Sequence, residues 1–174
     1  SIAKIAGIKL CEAYRKQHKV DFISVNPCNL YGPGDKVHPL KGHVMSCLIY
    51  KFWKAKRENL PTVECFGDGS PKREFLYVDD LADASVYLMN KDTSETDTLI
   101  NIGTGTEISI KEIAQLISDV VEYDGEIHWD TSKPNGALRR ILDVSKVNAL
   151  GWEAKTSLIE GVKKVICDLD ERYG

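Results

Sequence analysis

Four stretches of this 174-residue sequence carry residue types that can do chemistry. "HPLKGHV" (38–44) holds two histidines, the side chain best matched to proton transfer near neutral pH. His38 falls in a loop and His43 at the expected start of a helix, where an imidazole can face a cleft; the plainer reading is that a histidine in such a place is structural. "GDGSPKREFLYVDD" (67–80) sets Lys72 and Arg73 after a glycine turn and beside a strand of buried character. "SKPNGALRRILD" (132–143) gathers Lys133, Arg139 and Arg140 next to the tight turn of Pro134, Asn135 and Gly136. An arginine presents a planar fork that suits a phosphate better than the point charge of lysine. Two arginine stretches, each beside a turn, favour a diphosphate site more than either does alone. The plainer readings are that Arg73 pairs with Glu74 or an aspartate, and that 132–143 is a solvated basic loop. "GTGT" (103–106) lacks the GxGxxG spacing and leads to a helix already capped by Ser109, so it reads as a strand-to-helix turn and not a phosphate cradle. No HxxxH or HExxH spacing occurs, which makes a metal site improbable, and His18 and His128 have no supporting context.

The elements that must position these residues alternate between strand and helix. "DFISVNP" (21–27) reads as a buried strand that stops at Pro27, and 28–42 as one long loop. Residues 43–57 return to helical spacing, and 62–67 and 73–78 read as strands. Asp79 or Asp80 is placed to cap the next helix. "LINIG" (99–103) and "EIHWD" (126–130) are further strands. Ser109 with Glu112, and Ser157 with Glu160, have the spacing of capping boxes. Asp143 is placed to cap a short helix ending at Gly151. Such alternation predicts an α/β architecture.

The first helix is unusual. Ile2, Ile5, Ala6, Ile8, Leu10, Cys11, Ala13 and Tyr14 surround most of its wheel, and Lys4, Lys9, Glu12 and Arg15 leave only a narrow wet strip. A helix apolar nearly all round expects partners on two sides, so residue 1 reads as a cut and not a beginning.

The totals exclude whole classes of function. With 43% apolar and 28% charged residues the composition is that of a globular protein, and the net charge of −3 gives no electrostatic case for nucleic acid or an anionic membrane. Five cysteines without a CxxC pair argue against a disulfide framework and for a reducing compartment, with each thiol a small buried hydrophobe. No run is apolar enough to span a membrane and none reads as a signal peptide, so the cytoplasm is the expected location.

In order, "SIAK", "NPCNLYGP", "REFLYVDDLA", "INIGTG" and "RRILDVSK" resemble the C-terminal half of an extended short-chain dehydrogenase/reductase acting on a nucleotide sugar. Within that family, "NLYGPGDKVHPLKGHV" and "SKPNG" are similar to the GDP-L-fucose synthase branch, the GDP-4-keto-6-deoxy-D-mannose 3,5-epimerase-4-reductases. The resemblance covers essentially the whole chain. It implies the C-terminal part of an NAD(P)-binding Rossmann fold with a smaller α/β substrate-binding domain. Residues 1–41 would end the Rossmann domain, and 42–174 would be mainly the nucleotide-sugar domain, with segments near 75–103 returning to the Rossmann sheet.

The same resemblance assigns roles. Lys4 takes the lysine place of a Tyr-x-x-x-Lys motif whose tyrosine would stand immediately before Ser1, and it would bind the nicotinamide ribose. Pro27, Asn29 and Leu30 would line the NADP(H) and sugar site together with His43, the acid/base residue. Val44 and Leu48 would contact guanosine. Lys51 stands where arginine is common, and Phe66 where tryptophan is common. Arg73 and Arg140 would hold the diphosphate. Asn135, where aspartate is frequent, would reach a ribose hydroxyl. The implied partners are a GDP-sugar substrate and a second subunit in a homodimer formed through the first helix. Alternatives are a nucleotide-sugar 4,6-dehydratase or 4-epimerase, and a non-catalytic truncated binding paralogue.

Overall fold

Periodic segments of the chain become helices and its apolar runs become short strands, over the described residues 1–37, 42–93 and 98–174 of a computed structural model. Helix α1 (Ile2–His18) closes on Lys19, which adopts the left-handed conformation with φ 56°. Strands β1 (Ser24–Pro27) and β2 (Asn29–Tyr31) are separated by Cys28, and α2 (Val44–Arg57) leads to β3 (Thr62–Phe66). Then come β4 (Lys72–Arg73), β5 (Phe75–Tyr77), α3 (Val78–Met89), β6 (Leu99–Ile102), β7 (Ile108–Ser109) and α4 (Ile110–Val120). The chain finishes with β8 (Glu126–Asp130), β9 (Arg139–Arg140), α5 (Ser145–Ala149) and α6 (Leu158–Tyr173).

Pairing is mostly parallel, as helical crossovers between strands require. β1 lies along β6, β2 along β5, and β3 along β8, each in parallel register. β4 is flanked by β7, antiparallel, and by β9, parallel. Two apolar clusters hold these layers. One joins Met45, Ile49 and Phe52 of α2 to Ile113 and Ile117 of α4 and to Val162 and Leu169 of α6, over Val63 and Cys65 of β3. The other joins Leu76, Ile100 and Ile102 to Ala84, Leu88, Val147 and Trp152. Each such aliphatic side chain contributes about 1.5–3 kcal/mol through burial.

Both expected capping boxes form, with the Ser109 and Ser157 side chains accepting from the N–H groups of Glu112 and Glu160. Other local expectations need correction. Residues 28–42 are not one loop, because Asn29–Tyr31 gains a ladder with Phe75–Tyr77, a partner 46 positions away in the chain. The strand expected over 73–78 breaks at Glu74, and α3 already begins at Val78 with Tyr77 as its N-cap. Asp80 therefore lies in the first turn, and its carboxylate instead accepts from the backbone N–H and hydroxyl of Thr156, both at 2.9 Å. α5 is shorter than expected: Val144 is its N-cap, Asp143 accepts from the Ser145 N–H just inside it, and Leu150 is its C-cap, one residue before Gly151. Only Cys65 is fully buried among the cysteines, and Cys167 is exposed. α1 forms as expected but buries none of its residues, with Ile2 82% exposed. Among the described residues no helix is long and apolar enough to cross a membrane.

Candidate functional site

Parallel strands β2 and β5 run together toward a cleft of about 550 Å³, whose wall is completed by the loop after β2 and the first turn of α2. Ligands of open α/β sheets bind beyond the carboxyl ends of such strands. The loop is braced from two sides. Asp168 of α6 accepts from the Gly34 N–H at 3.2 Å, and Ser46 of α2 donates its hydroxyl to Asp35. His43 is the N-cap of α2, with φ −68° and ψ 150°, but its ring makes no capping bond and is exposed on the cleft wall. Val44 follows it on the same wall, 39% exposed.

Asn29 and Leu30 also line this cleft. The Asn29 amide donates to the Glu74 carbonyl at 2.8 Å, which ties β2 to the β4–β5 junction. Cys28 stands beside them, and burial pushes its thiol up to about 12, so it is neither nucleophile nor acid near neutral pH. Burial likewise raises Tyr31, whose ring packs edge-on against Tyr77.

The second group of sequence-predicted residues lies on the β4–β9 edge, and neither Arg73 nor Arg140 is among the residues that line the cleft. Register places Lys72 opposite Arg139 and Arg73 opposite Arg140. Successive strand residues point to opposite faces, so the four cations separate into two pairs. Lys72 and Arg139 both reach Glu107, at 3.4 and 2.6 Å, and that contact holds the Glu107 carboxyl below its ordinary range. Arg73 and Arg140 have no carboxylate partner among the described residues. Among the described residues Arg73 donates to the Lys72 carbonyl, at 2.8 Å, and not to Glu74, which turns into the core. The plain reading of Arg73 as one half of an ion pair is therefore overturned. Strands about 4.8 Å apart thus carry Arg73 and Arg140 at paired positions on one face, from which both can turn to a bound anion.

Asn135 lies against this edge. Its side-chain oxygen accepts from the Asp68 N–H at 2.9 Å, and a Cβ on Gly67 would approach that oxygen to 2.1 Å. Gly136 is near enough to Arg73 that a Cβ there would meet its guanidinium at 3.7 Å. Lys51 and Phe66 are also brought together: the ammonium sits 4.5 Å above the ring and donates to the Glu64 carbonyl. Leu48 is different. It is 5% exposed and packed in the core off the cleft wall, because the helix turns it inward with Ile49 and Phe52. Pro27 ends β1 half-buried, outside the residues that line the cleft, and Lys4 is exposed on α1, also outside them. His38 lies outside the described residues.

Sequence reading missed Glu74 as a structural hub and Asp168 as the brace of the cleft loop. A glutamate between an arginine and an apolar strand is a usable signal for the first. Nothing local marks the second.

The model of the NAD dependent epimerase/dehydratase family matches residues 1–103. A probable GDP-L-fucose synthase 1 from Oryza sativa subsp. japonica is 49% identical over 162 residues, which are 93% of this chain and 49% of the rice protein. The GDP-L-fucose synthase of Escherichia coli (strain K12) is 46% identical over 169 residues, 93% of this chain and 53% of that protein. A solved GDP-L-fucose synthetase from Naegleria fowleri bound to NADP superposes with a TM-score of 0.85 at 28% identity, over 95% of this chain and 53% of that one. The chain spans about half the length of the curated relatives it matches.

Proposed function

The chain belongs to the NAD dependent epimerase/dehydratase family, and from that membership we propose that it is the substrate-holding part of a GDP-L-fucose synthase. Such an enzyme converts GDP-4-keto-6-deoxy-D-mannose to GDP-L-fucose by 3,5-epimerisation and NADPH-dependent 4-reduction. The observation that carries this reading is the sorting of charge across β4 and β9. Lys72 and Arg139 share one carboxylate, while Arg73 and Arg140 stand together without one, as a diphosphate site needs. The names of the rice, bacterial and amoebal relatives support the sugar nucleotide and the cofactor.

In this reading Arg73 and Arg140 grip the diphosphate, and Asn135 reaches a ribose hydroxyl. Lys51 and Phe66 face the base. Val44 contacts guanosine, with Leu48, one turn further along α2, supporting it from the core. The C4 ketone acidifies the protons on C3 and C5. His43 is the proton carrier at those carbons, and its exposed place on the cleft wall gives it access to a sugar ring. A pocket of this size accommodates a hexose with a nicotinamide ring. Asn29 and Leu30 would hold the nicotinamide end, Pro27 closes the same end of the sheet, and Lys4 would offer its ammonium to the ribose. NADPH supplies, when bound, the hydride that reduces C4. The enzyme acts in the cytoplasm as a homodimer paired through α1, whose apolar residues are exposed. The domain division at residue 41, with 75–103 returning to the Rossmann sheet, belongs to the same proposal, and the two apolar clusters support it.

The intact protein, given GDP-4-keto-6-deoxy-D-mannose, should consume NADPH and release GDP-L-fucose. Isomerisation or dehydration without net consumption of NADPH would instead identify a 4-epimerase or 4,6-dehydratase. Tight GDP binding with no turnover of either kind would identify a binding protein.

A further inference from the structure

Glu74 is fully buried, yet among the described residues no cation pairs with it. Its carboxylate instead accepts three backbone N–H groups. One oxygen takes those of Thr104 and Gly105 at 2.7 and 2.8 Å, and the other takes that of Leu142 at 2.9 Å. The cradle is shaped around it, since a Cβ on Gly103 would come within 2.2 Å of the carboxylate. A buried carboxyl group left without such donors would be strongly destabilising, so the two segments, at 104–105 and at 142, are held wherever Glu74 is held.

The consequence falls on the arginines. Glu74 directly follows Arg73, and Leu142 stands two residues after Arg140. β9 itself is a two-residue edge strand with both residues exposed. Its other ties are the ladder to β4, a Lys72 to Leu138 backbone bond at 2.8 Å and the Arg139–Glu107 pair, 66% exposed at the arginine. Exposed contacts of this kind hold little. The better-covered anchor of this edge is the part-buried bond from the Leu142 N–H to the fully buried Glu74. We infer that Glu74 is a positioning residue, whose buried carboxylate keeps Arg140 alongside Arg73 as a two-guanidinium grip on a nucleoside diphosphate. This rests on the diphosphate reading of that edge. Because all three partners are donors, a carboxamide cannot replace the carboxylate. A glutamine oxygen can still serve Thr104 and Gly105, but its NH2 then opposes the Leu142 N–H and releases the segment that carries Arg140.

Calorimetric titration of the intact protein with GDP and with guanosine tests this. Arg140→Ala should weaken GDP binding about 10- to 150-fold. Glu74→Gln should give a comparable loss, the double variant little more than either alone, and guanosine should bind all of them equally. Losses that multiply in the double variant, or an equal loss for guanosine, mean a general structural role and overturn the inference. Unchanged GDP binding by Glu74→Gln overturns it while leaving the diphosphate reading intact. Failure of the wild-type protein to bind GDP overturns both. Should Glu74→Gln not fold, amide exchange in the wild type decides: Leu142 should be protected far beyond 137–139, and equal exchange there would overturn the anchoring.

Discussion

At the scale of single residues, two assignments make separate demands on experiment. His43 carries no capping bond, so His43→Gln should leave α2 folded and test only the proton-transfer role proposed for its ring. Loss of a general acid/base costs about 100- to 10,000-fold. Exchange of the C3 and C5 protons in heavy water should fall by that order while NADPH still binds, and near wild-type exchange would remove His43 from the chemistry. Arg73→Ala should weaken GDP-sugar binding by about 1.5–3 kcal/mol, the worth of a charge-assisted hydrogen bond. NADPH affinity should hardly change, and a parallel fall in NADPH binding would show that the arginine sits elsewhere in the site.

At the scale of elements, α6 does more than fill the core. Its Gly161 faces the ring of Tyr31, and a Cβ there would stand 2.1 Å from the phenol oxygen. Tyr31 is the last residue of β2, which leads into the cleft loop, so Gly161→Ala forces α6 away from the sheet. Overpacking of this kind costs about 1–3 kcal/mol, and the variant should melt lower, with weakened substrate binding. A melting point equal to that of wild type would mean that the helix shifts freely. The two capping boxes bear on pH. The Ser109 and Ser157 hydroxyls, with their backbone N–H groups, hold the Glu112 and Glu160 carboxyls below their ordinary value of 4.5. A folded-state value depressed below the unfolded one gives stability that is present above 4.5 and lost as pH falls through the lower folded value. The melting point should therefore decline on acidification past that point. Ser109→Ala with Ser157→Ala should flatten the decline, and a slope identical to wild type would show that the boxes contribute nothing to it.

At the scale of the whole molecule, α1 stands apart from both cores. Ile2, Ile5 and Leu10 are 82%, 58% and 57% exposed, while Ile8 and Cys11 are half covered. Each exposed aliphatic side chain forgoes about 1.5–3 kcal/mol of burial. In a verified monomer of this chain, amides over 1–18 should exchange rapidly, and association through α1 should slow them. Strong protection of that segment in the monomer would show that α1 needs no partner.

How far the sequence alone could go depended on the range of the forces involved. Local signals were sufficient for α2, α4 and α6, because 3.6-residue periodicity and the Ser-x-x-Glu boxes act within one or two turns. They were sufficient also for the existence of β1, β3, β6 and β8, although β1 starts only at Ser24 and, unlike the buried strand read over 21–27, leaves Val25 exposed. The family signature rested on short motifs such as "REFLYVDDLA", and His43 was legible as a histidine at a helix start. Only the tertiary structure decided that 29–31 is a strand, because its stabilising ladder comes from 75–77. It also decided that Asp80 serves Thr156 and not its own helix, and that Leu48 belongs to the core. The sorting of the four cations was equally out of reach of spacing. Whether Arg73 meets a carboxylate depends on the register of β4 against β9 and on which face Glu107 approaches. Glu74 shows the same limit most sharply. A single buried carboxylate draws its three N–H groups from two distant segments, and the cost of leaving it unsatisfied is a property of the folded interior alone.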